Sequence, residues 1–135
     1  MNAKEEFLRD LRNLSLDREA VRLMQEDIAR ITEDEKQKEL PALQREALEK
    51  ERLRLVAGMN ATLHHLGRIE RLLSFLSEKE QRVLNETLVD PRPGAVPGLA
   101  EEFNCELSSV YRLRARALCK LVRLRYGAGE NTTIV

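Results

Sequence analysis

From Ala3 to about Ile31 the apolar positions recur every three or four residues. Phe7, Leu14, Val21 and Ile28 fall at intervals of seven, with Leu11, Met24 and Ile31 between them. This spacing predicts an amphipathic helix with a coiled-coil-like seam. Arg18 and Gln25 stand where a long zipper would place leucine, and Ser15 can cap a fresh helix, which allows a kink near Leu14. The charged stretch Glu33–Leu40 runs into Pro41 and reads as a loop or frayed helix end. Proline suits a first helical turn, so a second long helix is expected from Pro41 to about Phe75. Its stripe is Leu55, Met59, Leu63, Leu66, Ile69, Leu73 and Leu76. Gly58 and Gly67 interrupt that stripe, and close approach of a neighbouring helix would account for them. Two such helices are expected to form a hairpin, each burying the other's stripe.

After the hairpin the pattern shortens. Ser77-Glu78-Lys79-Glu80 has the form of a capping box and opens a short helix with Val83 and Leu84 inward. Asp90–Gly98 carries three prolines and two glycines and reads as a loop. Two more helices are predicted at Leu99–Phe103 and Leu107–Tyr126, separated by Asn104-Cys105-Glu106. Asn104 suits the left-handed conformation that ends a helix, Cys105 reads as a small hydrophobe plugging the turn, and Ala100 permits a close helix crossing. Gly127–Val135 has no periodicity and reads as a disordered tail. The expected fold class is therefore all-α, divided as a hairpin at 1–76, a helix-turn-helix at 77–126 and a tail at 127–135.

Charge changes this picture only when it is resolved along the chain. Lys plus Arg and Asp plus Glu both number 23 among 135 residues, and aromatics make up 4%. Yet Leu107–Tyr126 carries Arg112, Arg114, Arg116, Lys120, Arg123 and Arg125 and no acid. Such a stretch is the electrostatic footprint of a polyanion-binding element. Val110, Leu113, Ala117 and Leu121 form its inward stripe. At 100° per residue, Ser108, Arg112, Cys119 and Arg123 lie opposite, flanked by Ser109 and Arg116. Small hydroxyl residues at a helix start allow close approach to base edges, and arginine grips guanine or phosphate. Arg114 lies nearer the buried side, where Glu101 or Glu102 is its expected partner.

The same residues resemble a known family. Leu76-Ser77-Glu78-Lys79-Glu80-Gln81-Arg82-Val83-Leu84, Leu99-Ala100-Glu101-Glu102-Phe103 and Ser109–Leu121 are similar to the fourth region of bacterial sigma factors. With a long helical segment ahead of it, the chain's layout resembles small phage late-transcription regulators of the autolysin-regulatory type. The resemblance implies a C-terminal sigma-region-four-like helix-turn-helix that reads double-stranded DNA, with DNA-facing positions Leu107, Ser108, Ser109, Tyr111 and Arg112. The N-terminal hairpin is then expected to orient two copies or to contact RNA polymerase. Two departures stand out. Asn85-Glu86-Thr87-Leu88 replaces the family's Arg-Tyr pair and short glycine turn, and Glu106 stands where a Ser or Thr cap is usual.

The expected DNA-binding set, from resemblance and helix geometry together, is Leu107, Ser108, Ser109, Tyr111, Arg112, Arg116, Lys120 and Arg123. The expected function is sequence-specific regulation of transcription. A small terminase-like DNA-packaging subunit and a helical protein–protein adaptor are the alternatives, and a homodimer through the N-terminal helices is compatible with each. No cofactor, metal or catalytic activity is expected. His64 and His65 are adjacent and point about 100° apart on a helix. Cys105 and Cys119 lack paired ligand spacing, and no phosphate loop or nucleophile motif is present. The absence of a long apolar run or apolar leader, together with only two cysteines, points to a cytoplasmic protein without a membrane partner.

Overall fold

The first helix, α1 (Ala3–Arg12), starts at a capping box. The Asn2 side chain accepts from the Glu5 N–H at 2.9 Å, and the Glu5 carboxylate accepts from the Asn2 N–H at 3.4 Å. The single helix expected from Ala3 to Ile31 is broken at Asn13, and α2 (Leu14–Glu35) follows. Ser15 does not cap it. Its hydroxyl instead donates to the Val89 carbonyl at 3.3 Å. In this computed structural model, residues 2–37 and 39–128 are described. α3 (Ala42–Leu73) starts directly after Pro41, and α4 (Glu78–Leu84) runs into a π-helical turn, Asn85–Val89. α5 (Ala95–Glu102) and α6 (Leu107–Tyr126) complete an all-α chain, with no strand among the described residues. Gly127 and Ala128 follow α6, and the remainder of the expected tail, 129–135, lies outside the described residues.

Two boundaries differ from the periodicity. α2 continues through Glu35, into the stretch expected to be loop, and closes on turns from Lys36 to Glu33 and from Gln37 to Asp34. α5 begins at Ala95, so Pro97 and Gly98 lie inside a helix and the expected Asp90–Gly98 loop ends at Gly94. Pro97 is the third helical residue, where a backbone N–H has no intrahelical acceptor, so the ring costs the helix no bond. Gly94, at φ +71°, supplies the left-handed residue that turns the chain into α5.

The described residues form two compact units. One contains the residues up to Ser15 and those from Arg68 onward, and the other is Leu16–Gly67. Contacts therefore divide the chain elsewhere than at the expected 76/77 boundary. In the first unit, α1 and α4 pack on α6, α5 packs on α6, and the π turn touches α1 and α5. Phe7, Leu11, Val83, Leu84, Leu121 and Val122 are fully sequestered. The π turn, closed by the Asp90 N–H to the Asn85 carbonyl at 2.8 Å, brings Leu88 and Val89 inward. Asp10 on α1 is buried and pairs with Arg125 on α6, whose guanidinium also lies 5.5 Å from the Phe7 ring centre and 5.1 Å from that of Tyr126. That pair and the Phe7 ring dock the first helix on the last.

In the second unit, going back along α2 from Glu35 to Met24 goes forward along α3 from Arg52 to Gly58. Arg52 Nε meets Glu35 Oε1 at 3.0 Å, and a methyl group at Gly58 would sit 3.6 Å from Met24 Sδ, an ordinary contact. Gly67 has open space around it, so the close helix approach expected there does not occur. Val21, Ile31 and Leu66 are buried in this unit, while Leu23, Leu43, Leu53 and Leu63 remain exposed. Two helices alone leave much of their apolar stripes half covered.

Candidate nucleic-acid interface

The joint between α5 and α6 follows from one residue. Asn104 has φ +54°, a conformation that asparagine tolerates better than most residues. It allows the Cys105 N–H to reach the Ala100 carbonyl at 2.9 Å and the Asn104 N–H to reach that of Glu101 at 3.1 Å. This pair of bonds is a Schellman motif, and it satisfies carbonyls that the helix end would otherwise orphan. Beneath the turn, Val83, Leu99, Ala100 and Val110 form a buried cluster, with Val96, Phe103 and Leu113 packed on it. Cys105 is exposed and does not plug the turn. Phe103 takes the apolar contact instead, and its ring lies 5.3 Å from Lys79 Nζ and 5.5 Å from the Arg82 guanidinium.

Charge holds α4 to α5 and to α6. Arg82 grips Glu102 through two bonds, Nη1–Oε1 at 2.6 Å and Nη2–Oε2 at 2.7 Å, and reaches Glu86 at 3.1 Å. A forked geometry of this kind is the strong form of ion pair. Its bonds raise the guanidinium pKa above its ordinary range and hold the Glu102 carboxyl below its own. This takes one of the two carboxylates expected to meet Arg114, whose Nε is buried without a hydrogen-bond partner among the described residues. Glu80 closes the expected capping box with Ser77, its Oε1 accepting from the Ser77 N–H at 2.9 Å, and lies 3.7 Å from Lys120 Nζ. Burial pushes the Glu80 carboxyl up, but Ser77 and the Lys120 ammonium outweigh it and leave the pKa below the usual value.

α6 is thus fixed by its inner side, where Val110, Ala117, Leu118, Leu121 and Val122 are buried. Leu118 and Val122 join the stripe predicted from Val110, Leu113, Ala117 and Leu121. On the outer side Leu107, Ser108, Tyr111, Arg112, Arg116, Lys120 and Arg123 are exposed and Ser109 is half-buried. Arg112 donates to the Ser109 hydroxyl at 3.1 Å, which lays that guanidinium along the first turns. Among the described residues no carboxylate pairs with Arg112, Arg116 or Arg123, whereas Lys120 is shared with Glu80. All eight residues singled out from sequence lie on α6, and they divide by role into three unpaired arginines, one paired lysine and a polar-apolar start. Cys119, expected to face outward with them, is half-buried.

A shallow cavity of about 330 Å³ adjoins the start of α6, with Thr87, Pro91, Arg92, Val96 and Tyr111 in its wall. Arg92 adds a basic group beside Tyr111 that periodicity does not reveal, because a loop residue has no helical face to be counted on. Among the described residues no three His, Cys, Asp or Glu side chains converge as a metal-binding group. No described helix is long and apolar enough to cross a membrane. The chain matches no protein-family model, no curated protein and no solved structure.

Proposed function

We propose that the chain is a sequence-specific double-stranded-DNA-binding regulator of transcription, in which α5, the turn at Asn104 and α6 work as a helix-turn-helix. The observation that carries this reading is the outer face of α6. It begins with Ser108 and Ser109 and continues through Arg112, Arg116 and Arg123, which no carboxylate of the described chain neutralises. Lying in a major groove, such a helix brings short hydroxyl side chains close to base edges and guanidinium groups to phosphates or guanine. Leu107 and Tyr111 offer apolar contact to thymine methyl groups beside them. The forked Arg82–Glu102 pair and the α1–α6 dock supply the rigid support that base readout requires.

The sigma-region resemblance, not the geometry, ties the reading to phage transcription and adds RNA polymerase as a partner. The half-covered stripes of α2 and α3 support pairing of two copies, which sedimentation would register as a dimer mass. The direct test is selection of bound sequences from random duplexes. A consensus is expected, and its half-site spacing reports the number of copies bound. Replacing Arg112 and Arg116 together by Ala should weaken duplex retardation strongly with helicity unchanged. Failure of the unaltered chain to retard any duplex at low salt would refute the reading and favour a helical adaptor instead.

A further inference from the structure

At the far end of α6 from Ser108, a groove of about 340 Å³ opens between the last turns of α3 and α6. Arg68, Arg71, Leu72 and Phe75 line one side, and Leu124 and Arg125 the other. Residues 68, 71, 72 and 75 are spaced as one stripe, three and four apart. Its apolar part is open to solvent, with Phe75 54% and Leu124 45% exposed. Among the described residues no acid lines the groove. Arg125 is already committed to Asp10, but Arg68 and Arg71 are exposed and have no ion pair among the described residues.

We infer that this groove binds an acidic segment of a partner protein, one that inserts apolar side chains against Leu72, Phe75 and Leu124 and sets carboxylates on Arg68 and Arg71. Size, charge and exposed apolar area together select that occupant. The volume is at the small end of ligand cavities and Phe75 and Leu124 leave it open to solvent, so it suits a segment laid across it rather than an enclosed small molecule. The charge is of one sign, and two unpaired guanidinium groups three residues apart match carboxylates on one turn of a bound helix. Exposed Phe75 and Leu124 gain nothing from a phosphate backbone, which separates this surface from the outer face of α6. Ser108 and Leu124 are sixteen residues apart, about 24 Å along the helix, and about 160° apart around it. A partner in the groove therefore leaves Ser108 and Arg112 at the start of α6 free, with Arg123, next to Leu124, the nearest arginine of the outer face. The inference stands whether or not that face binds DNA.

The test uses the full chain and a fluorescein-labelled synthetic peptide with Leu and Phe at helical spacing and Glu on the flanking positions. A second peptide replaces every Glu with Lys. The acidic peptide should bind about tenfold or more tightly than the lysine peptide, read by anisotropy. Arg68→Glu with Arg71→Glu should invert that preference, and Phe75→Ser should weaken the acidic peptide while the circular dichroism spectrum stays unchanged. Equal binding of the two peptides, or binding of the acidic one unaffected by the charge reversal, would overturn the inference. So would tight peptide binding that emerges only when residues 127–135 are deleted, since the groove would then belong to the chain's own tail. Loss of self-association in Phe75→Ser would likewise overturn it in favour of a second copy.

Discussion

On the proposed DNA-binding reading, raising salt weakens the complex with a slope set by the cations of α6 that remain unneutralised. Each phosphate contact releases counterions and contributes about −0.9 to the slope of log affinity against log salt on duplex DNA. Among the described residues Arg112, Arg116 and Arg123 have no carboxylate partner, while Lys120 lies 3.7 Å from Glu80 and Arg125 is paired with Asp10. Three contacts give a slope of about −2.7, so affinity should fall by about 40-fold between 50 and 200 mM salt. Arg112→Ala with Arg116→Ala leaves one contact, and the slope should shrink to about −0.9. Glu80→Gln offers the opposite perturbation. Gln can still accept from the Ser77 N–H and so keeps the capping box, but it releases Lys120, and the slope should steepen to about −3.6. Fluorescence anisotropy of a labelled duplex titrated across a salt series reads all three values. A flat salt response, or an unchanged slope in the double arginine variant, would refute the assignment of these side chains to phosphates.

Three further outcomes test the packing that holds α6. Asp10→Ala leaves the Arg125 guanidinium buried without its carboxylate and should cost about 3–5 kcal/mol in urea unfolding; a loss below about 1 kcal/mol would show that the pair does not dock α1. Gly67→Ala should raise stability by about 0.5–1 kcal/mol, because the helix gains propensity and the added methyl meets open space; a decrease would reveal a contact at that position. The Glu80 pKa is lowered in the folded chain, so its ionised form contributes stability that is present above the ordinary value of 4.5 and lost as pH falls through the folded value. Glu80→Gln should therefore flatten part of the acid limb of the urea midpoint, the remainder belonging to Glu102 beside Arg82 and Glu19 beside Arg22; an identical limb would remove Glu80 from the acid response.

What was legible in the sequence was what local chemistry decides. The Ser77–Glu80 capping box, the start of α3 after Pro41 and the left-handed Asn104 each depend on neighbours a few residues away, and each is found where expected. The outward placement of Ser108, Arg112, Arg116 and Arg123 followed from helical periodicity alone. What the pattern missed is of another kind. The break at Asn13 falls beside the kink allowed near Leu14, but the docking of the first helix through Asp10 on Arg125, 115 residues away, lies outside any window of local pattern. The same distance problem assigned Arg114 to Glu101 or Glu102, when Arg82 on α4 already holds the Glu102 carboxylate. Pro97 was read as a helix breaker because composition does not say where in a helix a proline falls, and the third position tolerates it.

The charge of α6 shows why the structure alters the functional argument and not merely its detail. Counted along the sequence, Leu107–Tyr126 is a helix of six positive charges, strong enough to draw the chain onto any polyanion. Folding sorts those charges. Arg125 is consumed in docking α1, Lys120 is shared with the cap of α4, and Arg114 is partly buried with its Nε out of solvent. Three arginines remain on the outer face, on a chain whose charges sum to zero. Non-specific attraction scales with the cations presented together, so it should be weak at physiological salt. On the proposed DNA-binding reading, useful affinity must then come from the placement of Ser108, Ser109 and Tyr111 against base edges, which an unsupported helix cannot maintain. The side chains withdrawn from the count are the ones that hold α6 in place: Lys120 and Arg125 give up charge and in return fix the helix to α4 and α1.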